Sequence, residues 1–255
     1  MATDSAHPPD TSGESGRTGP RSRLHPAKVR AAVKRRLFEH RLERTPLSPA
    51  GRLVTLGDPR YGGWTVPGDI LQQGWVCYCV GAGGDVSFDM DLIGRYGATV
   101  RAVDPVEKYV AQALEEAGGD ERFTIERAAL ATADGPLRMQ ITHDLGSESV
   151  SPAGLYDSSS FIELPGRTLG SLMAQFGDDH VDLLKVDIEG GEYELIPTLD
   201  LTSLGVKVFA TQLHHTGTIA DAKRLIGLLG AQGYEPVARH PVVKLTFARR
   251  DLLGR

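Results

Sequence analysis

From residue 74 onward, short apolar runs alternate with stretches of helical spacing. WVCYCV (Trp75–Val80) is a continuous apolar run of strand length, and SFDMDLIGRYG after it sets Phe88, Leu92, Ile93 and Tyr96 on one helical side. ATVRAVD (Ala98–Asp104) is a second strand. A helix follows, with Val106, Tyr109, Val110, Ala113 and Leu114 at helical spacing and glycines as its stop. FTIERAAL suits a third strand, VDLLKVDI (Val181–Ile188) a fourth and VKVFATQL (Val206–Leu213) a fifth. Between the last two, GEYELIPTL suits a helix opening near Glu192. TIADAKRLIGLLGAQG turns Ile219, Leu225, Ile226 and Leu229 inward. YEPVARHP and VVKLTFARR close the chain as two strands whose short link favours antiparallel pairing. Strand–helix alternation of this kind predicts an α/β fold, a doubly wound and mostly parallel sheet with an antiparallel C-terminal hairpin.

The pattern is different ahead of this domain. Residues 1–22 are rich in Pro, Ser, Gly and Thr with little to bury, which predicts a disordered tail. Residues 23–60 read as a helical extension of a domain spanning 61–255. In Arg21–Arg44, the positions Val29, Val33, Leu37 and Phe38 form the expected docking face, and nine Lys/Arg against two Glu form its solvated side. A Gly/Ser-rich stretch, His143–Phe161, reads as an irregular loop or lid that shapes the choice of acceptor.

Composition narrows the partners. A net charge of -5 gives no reason to expect nucleic acid. No apolar run approaches the ~20 residues of a membrane helix, and the N-terminus lacks the apolar core of a secretory signal. The two cysteines, Cys77 and Cys79, sit at i, i+2 on one strand, where they suit a core and not a mutual disulfide. These features point to a cytoplasmic protein with a small-molecule partner, and to neither nucleic acid nor membrane. They leave the oligomeric state open.

Ligands in doubly wound sheets bind at the carboxyl ends of the strands. The chemistry-bearing residues fall there. Gly81, Ala82, Gly83, Asp85 and Ser87 follow the first strand, and Asp104 and Pro105 the second. Lys185, Asp187 and Glu189 end the fourth, Glu192 opens the next helix, and His214 and His215 follow the fifth. A glycine-rich strand-to-helix turn lets a ligand approach the backbone and presents free N–H groups. The dinucleotide fingerprint G-x-G-x-x-G fails at its third position, Val86, which argues against a nicotinamide oxidoreductase. No P-loop motif occurs. What remains is G-x-G-x-D with an acid, Asp104, placed to accept ribose hydroxyls. With the C-terminal hairpin, this supports S-adenosylmethionine. A non-catalytic cofactor-binding protein is the remaining rival, and the retained acids argue against it.

The sequence resembles the FkbM-type methyltransferases, from about Tyr61 to Arg249. The residues that carry the resemblance are RTLGSLMAQFGDDHVDLLKVDIEGGEYELI (Arg167–Ile196), with Lys185, Asp187, Glu189, Gly190 and Glu192 as K-x-D-x-E-G-x-E. YGGW (Tyr61–Trp64), VGAGGDVSFD, AVDP and a late Thr246–Phe247 pair add to it. The chain departs after the fifth strand, where members often carry Glu-x-His and this chain reads TQLHH, with Gln212 in the acid's place. The resemblance implies a Rossmann-like class I methyltransferase fold, S-adenosylmethionine as cofactor, and O-methylation of a sugar or small natural product.

A hydroxyl is a poor nucleophile while protonated, so O-methylation needs a base or a metal. Lys185, Asp187 and Glu189, at i, i+2 and i+4 of an extended segment, share one side and are expected to pair with one another and line the cleft. Asp187 is expected to reach the cofactor as well, and His214 is the candidate base. His215, Glu192, Tyr61 and Trp64 are candidate acceptor contacts. Asp187, Glu189 and His214 form the set that could hold Mg²⁺ or Mn²⁺. Methylation at nitrogen or carboxylate needs less of a base and is the alternative chemistry.

Overall fold

The structure, a computed structural model, describes residues 26–144, 147–152, 160–240 and 243–254. The segment expected to be a disordered tail lies outside them, as do parts of the Gly/Ser-rich stretch. The elements run α1 (Pro26–Leu42), β1 (Leu53–Leu56), β2 (Trp64–Pro67), β3 (Val76–Val80), α2 (Ser87–Tyr96), β4 (Thr99–Val103), α3 (Glu107–Ala117), β5 (Phe123–Glu126) and β6 (Ala129–Leu130). They continue with β7 (Gly135–Asp144), β8 (Ser147–Pro152), β9 (Phe161–Arg167), α4 (Leu169–Phe176), β10 (Leu183–Val186), α5 (Glu192–Leu195), β11 (Val208–Gln212), α6 (Ile219–Ala231), β12 (Tyr234–His240) and β13 (Lys244–Arg249). None of the described helices is long and apolar enough to cross a membrane.

Seven strands form the main sheet in the order β12-β13-β11-β10-β3-β4-β5. β11, β10, β3, β4 and β5 are parallel, and β13 runs against both neighbours, inserted between β11 and β12. This is the doubly wound, mostly parallel sheet with an antiparallel C-terminal hairpin expected from the sequence. Side chains alternate along each strand. Leu184 and Val186 of β10 enter one core with Tyr78, Phe209 and Phe247, while Leu183 enters the other with Cys77, Cys79 and Val208. Both cysteine thiols are buried and free, and burial pushes their pKa values well up, as suits core residues. α6 starts at a capping box, in which the Thr218 hydroxyl accepts from Asp221 N and the Asp221 carboxylate accepts from Thr218 N.

Three expectations are corrected. The helical extension ends at Leu42. β1 then pairs with β2, so the expected boundary at residue 61 falls inside a hairpin unit. That hairpin packs on β12 and β13, where the Thr246 hydroxyl donates to Thr65 O. Second, α1 does not dock through Val29, Val33 and Leu37, which are exposed. Phe38 and Leu42, one turn apart at its C-terminal end, are buried in the core shared with α6. Third, the run FTIERAAL divides into β5 and β6. β6 joins a second sheet, ordered β6-β9-β7-β8, which takes up much of the stretch read as irregular. The strand signal there is weak, because Gly, Pro and Ser interrupt the alternation.

Asp89 on α2 is buried under β3, with one carboxylate oxygen unpartnered. Burial raises its pKa to about 6, against the opposing influence of Lys185. A raised acid pKa means that the folded state favours the protonated form. That favourable term is full below the ordinary carboxylate pKa and is lost as pH climbs through about 6. Asp89→Asn should therefore stabilise the protein at pH 7 by about 2–3 kcal/mol, with the difference fading below about pH 4. Urea unfolding at the two pH values measures this, and an equal gain at both would contradict it. By the same method, Phe38→Ala should cost about 3–5 kcal/mol, while Val33→Ala should stay within about 0.5 kcal/mol.

Candidate active site

The carboxyl ends of β3, β4, β10 and β11 open onto a cavity of about 420 Å³, within the size range of small-molecule sites. Val80, Gly81, Ala82, Gly83 and Asp85 form one wall, and Asp104, Pro105 and Tyr109 extend it. Asp187, Ile188 and Glu189 face them, with Gln212, His240 and Lys244 beside. Leu137 and Met139 of β7 overhang the cavity from the second sheet.

The glycine turn is shaped by two distinct needs. A Cβ on Gly81 would lie 1.9 Å from the Asp187 carbonyl oxygen, so glycine is required there for the ends of β3 and β10 to meet. Gly83 is different. Its φ is +59, and a Cβ there would meet nothing closer than the Tyr61 hydroxyl at 3.8 Å, so its surroundings are open to a ligand. Asp104 accepts from Gly83 N at 3.0 Å and Val106 N at 2.8 Å. Burial raises its pKa against these bonds. Asp104 thus ties the turn to the start of α3 and still lines the cavity, and each carboxylate oxygen can accept a further bond.

Asp85 and Ser87 belong to a clasp. Asp85 accepts from Ser87 N at 2.9 Å and from Gly62 N at 3.2 Å, and the Ser87 hydroxyl accepts from Asp58 N. Asp85 reaches the cavity wall and Ser87 does not, so the expected cofactor contact at Ser87 is replaced by a structural one. The clasp holds YGGW against the turn. Tyr61, largely exposed, donates its hydroxyl to Gly83 O at 3.3 Å, and Trp64 is buried in the cavity wall. Two lysines flank the Trp64 ring, with Lys185 Nζ 5.9 Å and Lys244 Nζ 4.7 Å from its centre.

The expected pairing of Lys185 with a neighbouring acid is corrected. Lys185 Nζ donates to the carbonyl of Gly81 at 2.7 Å and so tethers the turn to β10. Nor is Glu189 an extension of the strand. β10 ends at Val186, and Glu189 sits in a turn at φ +54, a conformation rarely adopted by side chains other than Gly. This turn swings its carboxylate toward His214.

His214 gathers the acids. Its Nδ1 lies 2.9 Å from Glu192 Oε1, and its Nε2 lies 3.4 Å from Glu189 Oε2 and 3.8 Å from Asp187 Oδ1. Gln212 Nε2 is 3.0 Å from the same Nε2. Glu192 is fully buried and also accepts from Ile188 N, so it is a support for His214 and not the acceptor contact expected. Burial lowers the imidazole pKa, but Glu192, Asp187 and Glu189 outweigh it and raise it to about 10. The surroundings favour positive charge at this point. An imidazole held protonated at neutral pH is a poor base, and His214 stands behind the cavity wall. His215 also misses the cavity. Burial and the nearby Arg35 lower its pKa, which puts it toward α1. Lys244, unremarked in the sequence, lines the cavity and donates to Tyr61 O and Gly63 O. Its signal was a lysine inside the apolar run VVKLTF.

A family model, described as the methyltransferase FkbM domain, matches residues 81–236. The chain belongs to the FkbM methyltransferase family. Its cofactor is accordingly S-adenosylmethionine, and the nicotinamide alternative falls away. No curated sequence matches. Among solved structures, the chain is similar to a SAM-dependent methyltransferase from Aquifex aeolicus, with 14% identity, coverage of 89% of this chain and 98% of that one, and a TM-score of 0.37. A precorrin-6y C5,15-methyltransferase from Geobacter metallireducens shares 15% identity over 71% of this chain and 85% of its own, with a TM-score of 0.40. A fibrillarin pre-rRNA processing protein from Methanococcus jannaschii shares 12% over 71% and 68%, with a TM-score of 0.39. The FkbM chain fits its cofactor at the turn, through the space around Gly83 and the cavity lined by Asp104.

The two glycines predict separable effects. Gly83→Val should cost about 1–2 kcal/mol of backbone strain, stay folded, and abolish binding of S-adenosylhomocysteine. Gly81→Ala should lower the melting temperature further, because the added carbon collides with backbone. Calorimetry and thermal melting read the two, and equal melting losses would count against this division.

Proposed function

We propose that this FkbM methyltransferase transfers a methyl group to a hydroxyl of a small acceptor, of the sugar or natural-product type, in the cytoplasm. The observation that carries the reading is the convergence of Asp187, Glu189 and His214, whose donor atoms all lie within 4.8 Å of one another, beside the glycine turn. Methyl transfer to nitrogen has less need of such a proton-accepting cluster.

S-adenosylmethionine, when bound, supplies an electrophilic methyl group, so the protein's task is positioning and deprotonation. Gly81, Ala82, Gly83, Asp85, Asp104 and Pro105 hold the cofactor's side of the cavity. Asp187 and Glu189 receive the hydrogen bond of the acceptor hydroxyl and direct its oxygen to the cavity. His214, fixed by Glu192, keeps the two carboxylates apart and partly neutralised. Trp64, Leu137 and Met139 exclude water from the acceptor's apolar surface, and Tyr61 covers the turn.

Glu189→Gln and Asp187→Asn should each lower turnover, by about 10²–10⁴-fold where the carboxylate accepts the proton, while leaving the dissociation constant of S-adenosylhomocysteine within about twofold. The assay is S-adenosylhomocysteine release with a panel of hydroxylated and amino acceptors. Turnover confined to the amines would overturn the O-methyl reading.

A further inference from the structure

We infer that Asp187, Glu189 and His214 form a divalent-cation site, of the Mn²⁺ type, at the acceptor end of the cavity. The inference rests on the O-methyltransferase reading only for the ion's task, and the site itself stands on side-chain geometry. Asp187 and Glu189 each offer a carboxylate oxygen and His214 its Nε2, with 3.4 and 3.8 Å between the imidazole and the two acids. Donors sharing one ion at about 2.0–2.2 Å sit roughly 3–4 Å apart, so small side-chain adjustments close the shell.

The second observation is the support behind the imidazole. Glu192 is fully buried, and its Oε1 lies 2.9 Å from His214 Nδ1. A buried carboxylate on Nδ1 keeps the N–H on that nitrogen, so an ion that displaces the Nε2 proton takes up the lone pair between Asp187 and Glu189. Metal-binding histidines are typically held in this carboxylate–imidazole–ion order. Asp187 Oδ1, on the same side, is buried with no hydrogen-bond partner. The Gln212 amide also lies on Nε2, and turned end for end it presents its oxygen to the same point. Two hard carboxylates with one imidazole suit Mn²⁺ better than Mg²⁺, which prefers an all-oxygen shell. Asp187 and Glu189 line the cavity, so the remaining positions of the ion open toward the acceptor. There it would lower the pKa of a coordinated hydroxyl.

The test is titration of the full-length protein with MnCl₂, followed by loss of the free-ion electron paramagnetic resonance signal. About one tight site per chain is expected. Asp187→Asn and His214→Gln should each weaken it at least tenfold, and Glu192→Gln, which touches no ion, about 10–100-fold. Glu115→Gln, an exposed acid on α3, should change nothing. Thermal melting checks that each variant is folded. Wild-type binding no tighter than that of Asp187→Asn would overturn the site, and so would full affinity in Glu192→Gln. S-adenosylhomocysteine titrated without metal reads the methyltransferase proposal separately: binding of that ligand without a Mn²⁺ site removes this inference alone.

Discussion

The ends of β3 and β10 meet at a distance that only glycine permits. Gly81 has no side chain, so the Asp187 carbonyl can lie where a Cβ would otherwise be, and Asp187 N donates to Val80 O. Lys185 adds a second hydrogen bond across the same junction, from its ammonium to Gly81 O. The glycine turn and Asp187 at the cavity wall are therefore one mechanical unit. A methyl displacement is in-line and sensitive to small errors of placement. A rigid junction between its two halves is what such a reaction needs.

Charge is concentrated around that junction. Asp187, Glu189 and Glu192 surround a single imidazole, and Glu192 is wholly buried. Three acids around one base favour any cation that enters. Lys185 and Lys244 lie nearby but are engaged by backbone carbonyls and by the face of Trp64. They hold loops in place, and the positive charge against the acid cluster comes from His214. The glycines of YGGW serve the same end: a Cβ on Gly62 would strike the Asp85 carboxylate, and one on Gly63 the Asp58 carbonyl.

The main sheet was readable because its strands are buried on both faces and spell continuous apolar runs, and because Gly and Thr mark the helix ends. The second sheet was not. β7, β8 and β9 carry Gly, Pro and Ser among their apolar residues, so neither a long alternation nor an apolar run stands out. The docking face of α1 differs from its sequence pattern for a related reason. Four apolar residues fit the spacing, but only the C-terminal turn of the helix lies against the domain. At the site, position after a strand picked out Asp104, Asp187, Glu189 and His214. It could not tell a cavity wall from a support behind it. Hence Ser87, Glu192 and His215 share the position of the cavity residues in the sequence but lie outside the cavity lining, and Lys244, on the antiparallel strand, lines it without that positional signal.

The central claim is that one cavity holds the cofactor at the glycine turn and directs the acceptor to Asp187 and Glu189. The most direct measurement is a crystal structure of the protein with S-adenosylhomocysteine. The account predicts the ribose beside Asp104, the backbone of Gly83 against the ligand, and the sulfur turned toward the wall formed by Asp187 and Glu189. A ligand bound elsewhere, or with its sulfur turned away from that wall, would contradict it.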